Sequence, residues 1–343
     1  MTRRGWILLG AMGVIWGVPY LLIKVAVEDV TPAGVVLART AIGALLLVPF
    51  AWRQGGLRAL RGHWPAAVAF ALLEIVGPWF LLSNAERTLS SSTTGLLVAT
   101  VPIIAVVVGR LVDRQHVAAV RWVGLTVGLG GVAVLLGPGA AADDAWAVVQ
   151  VILAAVGYAV APIIAERRLG TVPAIPLTTA CLAMSALVYL PIVLVTGPHP
   201  VPGTPAVLSL VTLGVVCTAL AFVLFFGLIG EVGGARATLV AYLNPVVAVS
   251  LGAVVLDEPI TWGVLAGMAL ILLGSAAASR RSRPADEPEA ELLPRALRGA
   301  PAHQPPEAPD GVRPPGPVEA DQLPAFPHSG PAGSDVTPRR PPG

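Results

Sequence analysis

Ten runs of roughly 20 apolar residues, joined by short polar connections, constrain this chain more than any motif does. They fall at 6–26, 33–52, 65–84, 94–112, 119–137, 146–165, 173–195, 206–229, 235–256 and 260–279. Runs of that length cross a ~30 Å hydrocarbon core as helices, because lipid offers no hydrogen bond to an open backbone. The predicted class is therefore all-α integral membrane, with ten transmembrane helices. Apolar residues make up 55% of the chain and charged residues 12%, so the charges crowd into the connections. Arg3 and Arg4 precede the first run, as they would in a signal peptide. That run is too long, lacks an A-x-A exit and is followed by further spans, so it reads as the first helix.

Orientation follows from the arginines. With a cytoplasmic N-terminus, inner connections and flanks hold Arg3, Arg4, Arg53, Arg58, Arg61, Arg110, Arg114, Arg121, Arg167, Arg168, Arg236, Arg280, Arg281 and Arg283. Outer connections hold only Arg87. This bias predicts that both termini face the cytoplasm. Trp6, Trp52, Trp64, Trp122, Trp146 and Trp262 sit at span ends, as an interfacial belt requires. Usage of Ala, Gly, Val, Pro and Arg over Lys suggests a GC-rich bacterial genome, which makes the bacterial plasma (inner) membrane the expected home.

Residues 237–274 overlay residues 94–131 without a gap, 143 positions apart. Pro245 falls on Pro102, Gly252 on Gly109, Gly267 on Gly124 and Gly274 on Gly131. Helix-breaking residues in register mark a duplication. Its expected units are 1–139 and 140–279, each of five helices. Five is odd, so the second copy enters the membrane inverted, an arrangement suited to opening alternately to either side. An inverted repeat also suits a channel. Beyond position 280 prolines and scattered charges dominate, and the expected state of 280–343 is a disordered cytoplasmic tail.

Several activities are disfavoured. The five histidines, His63, His116, His199, His303 and His328, all lie in connections or the tail, so no intramembrane haem, zinc or Ser-His site is expected. No P-loop appears, no cofactor is implied, and nothing resembles a nucleic-acid-binding stripe. Cys181 and Cys217 lie inside apolar runs and form no CxxC. The expected partners are the lipid bilayer, a small-molecule substrate and protons as the coupling ion. Association into a homodimer is left open.

Ionisable groups inside a membrane mark sites, because each costs several kcal/mol unless it faces a partner or a cavity. Glu74 lies halfway along the third run, too deep to snorkel, and is the foremost candidate for binding a proton or substrate. Its alternative is a structural pairing with Arg39 or Lys24. The Arg39 fork suits a carboxylate, either Glu74 or one on the substrate. Lys24 lies near the end of its span and can snorkel. Gly13, Trp16, Gly17, Tyr20 and Lys24 share one helix face at three- and four-residue spacing. That face is expected to line a pocket together with Trp79, Tyr158, Tyr242 and Asn244, or else to pack on a neighbour. Pro102 and Pro245 interrupt paired helices and are the expected hinges. Gly124/Gly128 and Gly263/Gly267 form GxxxG packing signals.

These features resemble the EamA-type transporters of the drug/metabolite transporter superfamily over residues 6–279. The resemblance rests on WGVPYLLIK in the first helix, on Pro32 followed by Arg39, and on the matched patterns around Pro102 and Pro245 ending in Asp257-Glu258-Pro259. It implies proton-driven export of amino acids, related small metabolites or toxic compounds. Two positions depart from the pattern. Gln115 stands where the first repeat often has Glu, and Leu182 occupies the place matching Arg39.

Overall fold

A computed structural model describes residues 1–113, 119–137, 142–196 and 201–279. The predicted tail and Gln115 lie outside the described residues. Every regular element described is helical. α1 (Arg3–Asp29) starts at an N-cap, Thr2, whose side chain accepts from Gly5 N–H at 3.0 Å. Two linking residues lead into α2 (Pro32–Arg53), where Thr31 is the N-cap and Pro32, which has no N–H to satisfy, is the first helical residue. A 3₁₀ turn, Gly56–Leu60, precedes α3 (Trp64–Ala85). α4 is split into Ser91–Val98 and Val101–Asp113. There follow α5 (Ala119–Leu136), α6 (Ala142–Arg168), α7 (Ala174–Val195) and α8 (Thr204–Val232). One turn, Gly234–Ala237, leads into α9 (Val240–Val255), and α10 (Trp262–Ala278) closes the described chain.

Among the described residues, eight helices are long and apolar enough to cross a membrane by length and composition. α9 and α10, at 16 and 17 residues, are shorter apolar helices. All six tryptophans of the expected belt are exposed, from 38% at Trp64 to 86% at Trp262.

The repeat is legible in the backbone. Leu72–Val76 within α3 and Val215–Leu220 within α8 are both π-helical, and 72 and 215 are 143 apart. Pro19 in α1 and Pro162 in α6 keep the same spacing. A π segment withdraws carbonyls from the ordinary ladder and offers them to other donors. The Tyr189 hydroxyl on α7 donates to Val76 O at 2.8 Å, and the Arg39 guanidinium on α2 reaches Cys217 O at 3.5 Å. In each half, then, a side chain from the other half's second helix meets the third helix's π segment.

Packing explains the glycines in register. A Cβ on Gly274 would stand 2.5 Å from Gly128 N and 2.6 Å from Gly124 O. A Cβ on Gly131 would meet Ile271 N at 2.8 Å. α5 and α10 therefore touch backbone to backbone, as small-residue stripes in membranes allow. The break in α4 is also satisfied. Pro102 has no N–H for Val98 O, while Thr100 Oγ1 donates to Leu97 O at 2.6 Å and Ser275 Oγ on α10 donates to Ala99 O at 2.7 Å. Pro245 instead sits inside α9 as a continuous helix.

Candidate functional site

The two ends of the bundle differ in chemistry. At one end Asp29 Oδ2 accepts from Gly203 N–H at 2.8 Å, and the Glu86 and Glu258 turns gather beside it. The opposite end carries Arg53, Arg167, Arg168 and Arg236, and there Glu231 accepts from Thr2 Oγ1 at 2.5 Å and lies 4.0 Å from Arg4. They are called below the acidic-turn end and the arginine-rich end.

Between the ends, Arg39 organises the interior. It is 8% exposed, and its Nε donates to Thr218 Oγ1 at 2.9 Å. Its guanidinium carbon lies 3.7 Å from the centroid of the Trp79 ring. A buried cation needs such partners, and a desolvated contact with an indole contributes about 2 kcal/mol. Thr218 can serve because it belongs to the α8 π segment, with its own hydroxyl turned to Leu213 O at 2.8 Å. Tyr158 on α6 stands against Trp79, within electrostatic reach of Arg39, Tyr20 and Glu74. Glu74 lies in the α3 π segment and is half-buried, within electrostatic reach of Tyr158 and Cys181. It pairs with neither Arg39 nor Lys24, and no hydrogen bond holds its carboxyl among the described residues. Tyr20, Arg39, Trp79, Tyr158 and Glu74 thus form one cluster drawn from α1, α2, α3 and α6, with Thr218 contributed by α8.

The remaining expected site residues lie elsewhere. Lys24 reaches the acidic-turn end, where its ammonium donates to Glu86 O at 2.7 Å and Leu89 O at 2.9 Å. Trp16 packs on Phe225 and Phe222 of α8, with ring centroids 4.6 and 6.1 Å away. The Tyr242 hydroxyl ties α9 to α10 through Ser279 Oγ at 2.9 Å. The Asn244 amide, oriented by its neighbours, donates to Gly13 O at 3.3 Å and to Val240 O at 3.0 Å. The face of α1 is consequently divided among α8, α9 and the α3–α4 turn rather than lining a single pocket.

A further contact at the acidic-turn end joins the α9–α10 turn to α4. Asp257 takes a left-handed φ of 53°, and Glu258 N–H turns back to Gly252 O at 3.1 Å. The turn aims the Glu258 carboxylate at the first amides of α4, which have no partner within their own helix. Glu258 Oε1 accepts from Ser91 N–H at 2.7 Å, and Oε2 accepts from Ser92 N–H at 3.0 Å and from the Ser92 hydroxyl. An anion at a helix N-terminus is favoured by the dipole as well as by these bonds. Gly252 makes the approach feasible, since a Cβ there would run into Glu258 and stand 2.5 Å from Ser92 Oγ.

Sequence reasoning passed over Glu86, Thr218 and the two π segments. Glu86 falls just past the third apolar run, outside the segments whose ionisable groups mark sites. The signal for Thr218 was the 143-residue register itself, because it lies one position beyond Cys217, the counterpart of Glu74.

Comparisons with known proteins agree with this architecture. The chain is 28% identical over 248 residues to the uncharacterized inner membrane transporter YedA of Escherichia coli (strain K12), covering 71% of this chain and 80% of that one. It is 26% identical over 279 residues to the uncharacterized transporter YoaV of Bacillus subtilis (strain 168), covering 78% and 94%. A crystal structure with 22% identity superposes with a TM-score of 0.60 over 81% of this chain and 96% of the other, a likeness of fold alone. The model of the EamA-like transporter family matches twice, over residues 3–137 and 145–280. Two matched repeats, all-helical apolar architecture and transporters among its relatives together establish that this chain belongs to the EamA-like transporter family.

Proposed function

We propose that this protein is a secondary active transporter rather than an enzyme, exporting a small metabolite or toxic compound in exchange for protons. Amino acids and related compounds are the expected metabolites. In this reading ten helices cross the plasma membrane as two inverted halves, 1–139 and 140–279, with both termini cytoplasmic and the acidic-turn end outside. The observation that carries it is the cluster around Arg39. A cation from the first half is held by the π segment of the second, with an aromatic wall and, within electrostatic reach of it, a carboxyl, Glu74, that has no hydrogen-bond partner among the described residues. A carboxyl so placed suits alternation between proton and substrate, and the Arg39–Trp79 surface suits a substrate with an anionic or aromatic part. Closure of the outer end by Glu258 corresponds to one limb of alternating access.

The test uses everted vesicles carrying the protein, with a pH-sensitive dye reporting the interior. Amino acids, sugars and toxic amphiphiles are added singly. A compound that dissipates the gradient in wild type but not in Glu74→Gln identifies the substrate and the proton carrier together. Silence across the panel, with labelled compounds still equilibrating, overturns the coupling and favours a passive channel or uniporter on the same scaffold.

A further inference from the structure

Glu86 lies just past α3 and has no part in the reading above. Its side chain is 0% exposed, and neither carboxyl oxygen has a hydrogen-bond partner among the described residues. The charged and titratable groups that face it are engaged elsewhere. Lys24 of α1 donates to the Glu86 and Leu89 carbonyls, Arg39 of α2 is held by Thr218 and Trp79, and Glu258 of the α9–α10 turn caps Ser91 and Ser92. Tyr20 of α1 lies within electrostatic reach. The Ser91 hydroxyl, in the first turn of α4, also has no hydrogen-bond partner among the described residues.

An ionised carboxylate enclosed without donors is strongly disfavoured relative to its protonated form. Burial pushes the Glu86 carboxyl well above the usual carboxylate range, with Lys24 opposing, Glu258 reinforcing and Arg39 opposing. At this end the Glu258 cap ties the α9–α10 turn to the start of α4. We propose that Glu86 is a second proton-binding site, protonated while the acidic-turn end is closed and releasing its proton to water there when Glu258 leaves the α4 amides. The proposal rests on the alternating-access reading. On opening, water reaches the carboxyl and the proton passes to it. Lys24, 2.7 Å from the Glu86 carbonyl oxygen, is then near enough to pair with the carboxylate. On reclosure Lys24 returns to the Glu86 and Leu89 carbonyls, and the carboxyl takes up a proton from the same side.

Infrared spectroscopy of the purified full chain in lipid tests this, with the proton as the probe. The readout is the C=O band of a protonated carboxyl, recognised by its shift in D₂O, as pH is raised. Wild type and Glu74→Gln should keep a component at neutral pH that Glu86→Gln lacks. Glu258→Gln should move that component's titration to lower pH by up to about 1.5 units, equivalent to a roughly 30-fold weaker closure. If Glu86→Gln does not fold, Glu86→Asp should displace the band instead. A neutral-pH spectrum unchanged by Glu86 substitution, or one without any protonated carboxyl, overturns the proposal. These spectra need no substrate, so they stand whether or not flux depends on Glu74.

Discussion

Replacing Glu258 with glutamine should loosen one end of the transporter without changing its shape. The carboxylate accepts two backbone amides, at 2.7 and 3.0 Å, and the Ser92 hydroxyl, all at the start of α4. Bonds to a charged acceptor contribute about 1 kcal/mol more each than neutral ones. The interaction with the helix dipole adds roughly 0.3–1 kcal/mol. These sum to about 3–4 kcal/mol, and solvent screening at the partly exposed Glu258 reduces them to about 2 kcal/mol, roughly a 30-fold shift toward the open state. Cys217 is 1% exposed beside Arg39 and reports that opening directly. In a Cys181→Ser background, a membrane-impermeant maleimide added from the acidic-turn side should label Cys217 roughly 30-fold faster, because labelling follows the open population when reclosure is fast. Gly252→Ala, which pushes a methyl into the same contact, should act in the same direction with Glu258 intact. Equal labelling in Glu258→Gln and wild type would refute the view that this carboxylate holds the end shut.

Three further outcomes follow from the packing. Gly274→Val should destabilise the protein by about 3 kcal/mol or more in detergent thermal unfolding, since neighbouring backbone atoms occupy the space, whereas Gly130→Ala, with nothing within 4 Å, should be neutral or slightly stabilising. Arg39→Lys should reduce transport at least about 10-fold in the vesicle assay, because an ammonium cannot hold Thr218 while stacking on Trp79. Tyr189→Phe should cost about 1 kcal/mol of stability by removing the bond to Val76 O in the π segment, measured by the same unfolding assay.

The sequence made the membrane class, the repeat and its 143-residue register readable, because length, apolarity and helix-breaking residues are local properties. The glycines in register became the α5–α10 contact. What it could not convey was partnership across the halves. A π segment needs no distinctive residue, so Leu72–Val76 and Val215–Leu220 looked like ordinary helix. Spacing puts Gly13, Trp16, Gly17, Tyr20 and Lys24 on one face of α1, but helical periodicity does not say which neighbour each residue meets. Trp16 met the phenylalanines of α8, Gly13 met Leu243 of α9, and Lys24 met the turn after α3. Arg39 was expected to seek a carboxylate. It found a hydroxyl, a carbonyl and an indole, which left Glu74 without a counter-charge among the described residues.

The central claim is that movement of substrate is tied to movement of protons through Glu74. It is tested most directly in proteoliposomes holding a labelled substrate from the vesicle panel, under an imposed pH gradient of either sign. The account predicts accumulation against the substrate's own gradient, in a direction that reverses with the pH gradient. In Glu74→Gln that accumulation should vanish while substrate exchange continues. Equilibration at the same rate and to the same level under every gradient, in wild type and variant alike, would contradict it.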